Sequence, residues 1–86
     1  METITLANGN TKNIAALNVK QVKDFVLNQE GDSVDRQAKM IIAAVQNAGD
    51  TVEQDAIEAL PFPAFNAIAG QVLVLTGLKA GEAAAA

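Results

Sequence analysis

The sequence predicts a small α+β domain that is mainly helical, with an N-terminal β-hairpin and three to four helices packed around a hydrophobic C-terminal helix. Polar and apolar residues alternate near the N-terminus, which indicates strands, and apolar residues recur at helical spacing over most of the remainder. The C-terminal helix stands out because no charged residue lies between Ala59 and Leu78. At 86 residues, one domain is expected over residues 1–78, followed by a mobile tail at 79–86.

The hairpin is expected over residues 2–17. The stretch TITL at 3–6 alternates with period two, and NGN at 8–10 supplies a turn because Asn and Gly tolerate positive φ. The return strand is expected at about 11–15. Two strands alone are marginally stable, so the hairpin should pack on the helices. Its inward-facing residues are expected to include Ile14 and Leu17.

The first helix is expected at about residues 18–30. Asn18 is a favourable N-cap, and Gly31 follows as the residue just past the end. The spacing of three valines predicts an inner stripe, with Phe25 beside it, at Val19, Val22 and Val26.

The second helix is expected at about residues 33–48, with Asp32 or Ser33 as its cap and Gly49 beyond its end. Asp35 lies in the first turn, where the helix dipole favours negative charge. Arg36, Lys39 and Gln46 are expected on the outer side. Residues that share the inner face are Val34, Ala38, Ile41, Val45 and Ala48.

The third helix is expected at about 51–60, because TVEQ at 51–54 has the spacing of a capping box. The fourth is expected at about 63–76, with Pro63 at its first position and Gly77 as its stop. The second and fourth helices have the strongest apolar faces. The most buried residues are therefore expected to be Ile41, Val45, Phe65, Ile68 and Val72.

The composition argues against an enzyme. The chain has no His, Cys or Tyr, so the commonest general base and the best nucleophile are both missing. Asp50, Glu53 and Asp55 are close in sequence, but they lie where helix starts favour acids, so we predict no metal site. No cofactor is predicted.

Nucleic acids and membranes are not expected partners. The net charge is −4 and the six basic residues are scattered, so no basic stripe is available to neutralise phosphates. The charge-free stretch is about long enough to span a bilayer, at ~20 residues. However, prolines, Asn66, Gly70 and Gln71 interrupt it.

Ser33 has two interpretations. The string GDSVD at 31–35 resembles the Asp-Ser-Leu site of acyl carrier proteins, where a Ser that opens a helix carries a phosphopantetheine arm. Val34 replaces the usual Leu, and an N-terminal hairpin is foreign to that four-helix family. The other interpretation is that Ser33 is an ordinary helix cap, which requires no prosthetic group.

The fourth helix is expected to have a second apolar side besides its core-facing side. A solvated helix face normally carries charge, so an uncharged face predicts a docking surface for another chain. The residues expected in this partner-binding surface are Ala67, Leu73, Val74 and Leu78.

The layout also resembles the small tail assembly chaperones of long-tailed bacteriophages and Mu-like prophages. Three stretches carry the resemblance: ITLANGNTK at 4–12, the Gly31-Asp32 turn leading into QAKMIIAAV at 37–45, and IEALP at 57–61 leading into FNAIAGQV at 65–72. The resemblance covers about residues 2–78.

The resemblance implies a non-enzymatic chaperone in the cytoplasm of the host bacterium. Such proteins are thought to bind the aggregation-prone tape measure protein and to help tail tube protein subunits polymerise around it. Many are also made in a longer, frameshifted form, and self-association into a homo-oligomer remains open. Two alternatives are an acyl-carrier-like protein modified at Ser33 and a small oligomeric phage structural or connector module.

Overall fold

A computed structural model describes residues 2–28 and 31–77. The predicted α+β class is confirmed, since a two-stranded antiparallel hairpin precedes the helices. The predicted tail at 79–86 and the last two residues of the predicted first helix lie outside the described residues. In chain order the elements are β1 Glu2–Thr5, β2 Thr11–Ile14, α1 Val19–Val22 continuing into a π-helical turn Lys23–Leu27, α2 Ser33–Asn47, α3 Gln54–Glu58 and α4 Phe62–Thr76.

The hairpin forms as predicted. Glu2 pairs with Ile14, and Thr5 pairs with Thr11 next to the turn. Gly9 occupies the turn with a φ of 86°, a conformation that favours glycine. The hairpin buries its apolar side chains against the helices, which supplies the stability that two strands lack. These buried residues are Ile4, Leu6 and Ile14, followed by Leu17 in the linker.

The first helix is capped as predicted but changes its hydrogen-bonding pattern. Asn18 and Gln21 form a reciprocal capping box. After Val22 the helix becomes π-helical, and the Asn28 N–H donates to the Lys23 carbonyl at 3.1 Å. The predicted stripe is wrong for Val19, which is 86% exposed, whereas Val26 is buried. A π-helical turn contains more residues than an α-helical turn. The residues on its two sides therefore do not keep the angular spacing that a constant α-helical period predicts.

Helix α2 lies at the centre of the packing, whereas the C-terminal helix was predicted there. It contacts β2, the π-helical turn, α3 and α4. The arc that it buries is wider than predicted, because Met40, Ala43 and Ala44 join the expected Ala38, Ile41 and Val45. Val34, which was predicted on the inner face, is exposed.

Of the two residues predicted to cap α2, the structure assigns the cap to Asp32 and not to Ser33. Asp32 is the N-cap, and its carboxylate accepts the Val34 N–H at 2.9 Å. Ser33 is the first helical residue and is exposed. Arg36, predicted on the outer side, is half-buried, and its guanidinium donates to the Asn28 carbonyl at 2.8 Å.

Helix α3 starts later than predicted because the capping box at Thr51 does not form. The Asp50 carboxylate accepts the Thr51 N–H at 2.8 Å, and α3 begins only after Glu53, its N-cap, whose backbone is extended. Gln54 then donates to Asp35, in the first turn of α2, at 2.7 Å. The connection therefore returns along α2 to its N-terminal end before α4 begins.

Helix α4 begins at Phe62, so Pro63 is its second residue rather than its first. Gly77 ends the helix as predicted, with a φ of 96°. Within the described part of the chain, no helix combines the length and apolar character that crossing a membrane requires. The residues that α4 buries are Phe65, Ile68, Ala69, Val72 and Leu73.

The core contains all five residues predicted to be most buried. It also contains three large side chains that were not among those five. Ile14 from β2, Met40 from α2 and Ile57 from α3 are almost completely inaccessible to solvent. They connect the hairpin, the central helix and the short helix in one apolar cluster.

Candidate partner-binding surface

One side of α4 faces solvent and carries no charge. We call it the outer face and define it by Pro63, Asn66, Ala67, Gly70 and Val74, of which all but the half-buried Gly70 are exposed. These positions recur at helical spacing and lie opposite the buried face. Val74 is 68% exposed, so the outer face includes a large apolar side chain in water.

Phe62 extends the apolar surface at the start of α4. Its ring is stacked on that of Phe65, with centroids 6.2 Å apart and an interplanar angle of 24°. Phe65 is buried, whereas 59% of the surface of Phe62 is exposed. The buried ring thus holds an exposed aromatic ring beside the outer face, and aromatic residues are frequent energetic anchors at protein interfaces.

Hydrogen bonds between α4 and the N-terminal part of the chain contribute to the position of α4. Gln71 donates to the Glu2 carboxylate at 2.9 Å and to the Thr3 carbonyl at 3.2 Å. At the end of the helix, Thr76 Oγ1 accepts the Leu17 N–H at 3.1 Å. These contacts and the buried face hold α4 against the hairpin side of the molecule, which leaves the outer face in solvent.

The structure supports the exposure of two of the predicted partner-binding residues. Ala67 and Val74 are exposed on the outer face. The expected exposure of Leu73 is wrong, because this residue is only 9% exposed and belongs to the core. Its position follows buried Ala69 by one helical turn, which places it on the same side. Leu78 lies outside the described residues.

Sequence reasoning missed two members of this surface. Phe62 lies between two prolines and was placed before the helix, and the sequence carries no signal for its exposure. Gly70 was treated only as an interruption of the apolar pattern. Both lie in the charge-free stretch that indicated the surface.

The charged groups with perturbed pKa values lie on other elements. The Thr51 N–H, the Asn13 N–H and nearby Lys12 lower the pKa of Asp50, which ties the loop after α2 to the hairpin. Hydrogen bonds from Lys39 and Gln54 lower the pKa of Asp35. Neither acid belongs to a cluster of potential metal ligands, since none was found among residues 2–28 and 31–77.

A shallow groove of about 430 Å³ lies between the first helix and α2. Phe25, Ile42 and Ala43 contribute apolar lining, while Lys20 and Asp24 lie on one wall. Lys39 lies on the other wall, but its ammonium is 3.0 Å from the Asp35 carboxylate. Acids therefore offset both lysines, and the groove has no excess charge to select an ionic ligand.

Comparisons with protein-family models, curated proteins and solved structures found no match to this chain.

Proposed function

We propose that this chain is a non-enzymatic phage tail assembly chaperone. In this proposal it binds the tape measure protein through the outer face of α4 and assists tail tube assembly in the host cytoplasm. The observation that supports a binding function is the exposed, uncharged side of α4, with Val74 and the neighbouring Phe62 in solvent. The resemblance of residues 2–78 to tail assembly chaperones supports the identity of the client.

The size of the outer face favours a transient client over a permanent dimer. With 15 residues, α4 is about 22 Å long, and a helix is about 10 Å wide. The face therefore offers roughly 200 Å² to a partner, whereas stable complexes bury about 800 Å² on each side. An interface of this size suits repeated binding and release, as a chaperone requires.

The chemistry of the outer face favours an apolar helical segment as its occupant. A charged segment would lose hydration without gaining an ionic partner, because the outer face offers none. An amphipathic helix could instead place its apolar side along α4, as in helix-in-groove recognition. A client that is itself a long helix would present such a side.

The direct experiment is co-precipitation of the purified chain with the tape measure protein encoded beside it. The parent should retain the client, and Val74→Glu should lose it. Leu27→Glu is the matched control, because Leu27 is an exposed apolar residue on a different helix. Loss of binding in both variants, or in neither, would contradict recognition through the outer face.

The carrier alternative is tested separately. Ser33 is exposed at the start of α2, so its hydroxyl is accessible to a modifying transferase. Intact mass of the chain made together with a phosphopantetheinyl transferase distinguishes the two functions. An unmodified mass supports the chaperone proposal, and an added phosphopantetheine group favours the carrier. A connector module would instead form a stable oligomer in sedimentation.

A further inference from the structure

The groove between the first helix and α2 presents apolar surface that the described residues leave partly uncovered. Phe25, Ile42 and Ala43 contribute its apolar lining, and Phe25 and Ile42 are only half-buried. Phe25 belongs to the π-helical turn, and π-helical turns frequently lie at functional sites. The groove is therefore a second candidate binding site, on different elements from the outer face of α4.

The described part of the chain ends beside this groove. Thr76 Oγ1, at the end of α4, accepts the Leu17 N–H at 3.1 Å, and Asn18, the residue after Leu17, lines the groove. Gly77 follows with a φ of 96°, which ends the helix and redirects the chain. Residues 78–86, which lie outside the described residues, are therefore attached next to one end of the groove.

The length of residues 78–86 is sufficient to reach and follow the groove. The groove extends along α2 from Gln46 to Lys39, which is about 10 Å of helix. The nine residues after Gly77 span up to about 30 Å when extended. Because they are tethered beside the groove, their effective concentration there is on the order of millimolar, which an unattached ligand would rarely reach.

The composition of residues 78–86 also suits the groove. Besides Leu78, the segment contains five alanines, whose small apolar side chains can pack in a shallow groove. Its charged side chains, Lys79 and Glu82, have opposite signs. The groove walls likewise carry side chains of both signs, so docking does not bury an excess of one charge.

We propose that residues 78–86 dock along the groove between the first helix and α2. Their apolar side chains cover Phe25 and Ile42, which the described residues leave half-buried. The segment then acts as a strap that joins the end of α4 to the first helix and α2. This strap is separate from the outer face of α4, so the inference does not depend on the proposed function.

Introduced cysteines test this contact, because the chain has no cysteine of its own. Gln46→Cys is combined with Ala83→Cys in the full chain, since Gln46 is exposed and lines the groove. The matched control combines Ala67→Cys, on the outer face, with Ala83→Cys. The extended segment can reach this control site too, because α4 runs only about 15 Å from Ala67 to Gly77.

The readout is the rate at which each pair forms a disulfide in a glutathione buffer. A disulfide requires Cα atoms within about 7 Å, so this rate reports how often the segment occupies each site. The groove pair should react about tenfold faster than the control pair, because docking raises the local concentration of the second thiol. Circular dichroism of each variant verifies that the helices are retained.

Charge added to the segment separates docking from simple proximity. Ala84→Glu and Ala85→Glu, introduced together into the groove pair, should remove its advantage over the control pair. The reason is that both carboxylates would lose hydration against the apolar lining of the groove.

A faster groove disulfide that the two Glu substitutions slow supports the inference. Equal rates for the two pairs would overturn it, and so would a fast groove disulfide that the Glu substitutions leave unchanged. A disulfide between two chains, seen as a dimer on a non-reducing gel, would identify a second copy as the occupant and would also overturn it. None of these measurements involves a client, so their failure is distinguishable from failure of the proposed function.

Discussion

The Leu17 N–H donates to Thr76 Oγ1 at 3.1 Å, and this hydroxyl donates in turn to the Val72 carbonyl at 2.8 Å. The linker after the hairpin is thereby joined to the last turn of α4. Ala15, two residues earlier, donates to the Ala44 carbonyl of α2 at 3.0 Å. The C-terminal halves of α2 and α4 therefore both contact the same short linker.

Thr76→Val removes this hydroxyl at nearly constant volume. The Leu17 N–H loses its acceptor beside a buried side chain, so we expect a loss of about 1–3 kcal/mol in the free energy of unfolding. Urea unfolding measures the change. The control is Thr51→Val, at an exposed position in the loop after α2. Equal stabilities of the two variants would show that the hydrogen bond from Leu17 to Thr76 contributes nothing to the free energy of unfolding.

Truncation of Ile41 or Phe65, which lie on the two longest described helices, should destabilise the core. Both are buried, so Ile41→Ala or Phe65→Ala should each cost about 2–5 kcal/mol through lost burial and cavity formation. Val19→Ala is the control. Because the Val19 side chain is exposed, this substitution should change the free energy of unfolding by less than about 0.5 kcal/mol. If either core variant melted within a degree or two of the parent, the assigned helix packing would be wrong.

The cap of α2 should depend on Asp32 rather than Ser33. Asp32→Ala removes the acceptor for the Val34 N–H and should cost about 1 kcal/mol. Ser33→Ala should change the stability by less than about 0.5 kcal/mol, because Ser33 is exposed and is not the cap. Chemical denaturation of both variants measures whether Asp32→Ala loses more stability than Ser33→Ala. A larger loss for Ser33→Ala would assign a structural role to the hydroxyl.

Asp50 should make stability depend on pH in the acidic range. Its hydrogen bond with Thr51 is the main cause that lowers its pKa below the ordinary value of 3.8. The folded state therefore holds this proton less tightly than the unfolded state. The resulting stability is present above pH 3.8 and is lost as pH falls through the lowered pKa.

Asp50→Asn tests this dependence. The variant retains an acceptor for the Thr51 N–H but cannot titrate or pair with Lys12. Urea midpoints at neutral pH and below pH 3.8 should differ less in the variant than in the parent. The same acid-induced loss in both proteins would contradict a contribution from Asp50.

Local patterns were sufficient to predict the class of fold and the order of its elements. The hairpin turn, the Asn18 cap and the Gly77 stop follow from residue-specific backbone and side-chain preferences, and all three are present. The failures have several causes. The π-helical turn after Val22 has no signal in a constant helical period, and Val19 at the start of α1 is exposed although it fits the apolar spacing. Thr51 is not a cap, and its N–H instead donates to the Asp50 carboxylate, which also pairs with Lys12 of the hairpin.

The candidate surface was predicted only in part. Absence of charge correctly indicated an exposed apolar side on α4, with Ala67 and Val74 in it. The misplacement of Leu73 reflects the width of the buried arc, which depends on how closely α4 packs on its neighbours.

The central claim is that a client binds the outer face of α4. Its most direct test is the Kd of a tape measure fragment for the double variant Ala67→Glu and Val74→Glu, compared with Leu27→Glu and the parent. In the complex, the client would bury both new carboxylates without a charged partner. This should weaken binding by more than about a hundredfold. Circular dichroism should show an intact fold, because both substituted positions are exposed. A folded double variant that binds like the parent would contradict the claim, and an unfolded one would show that this face is core.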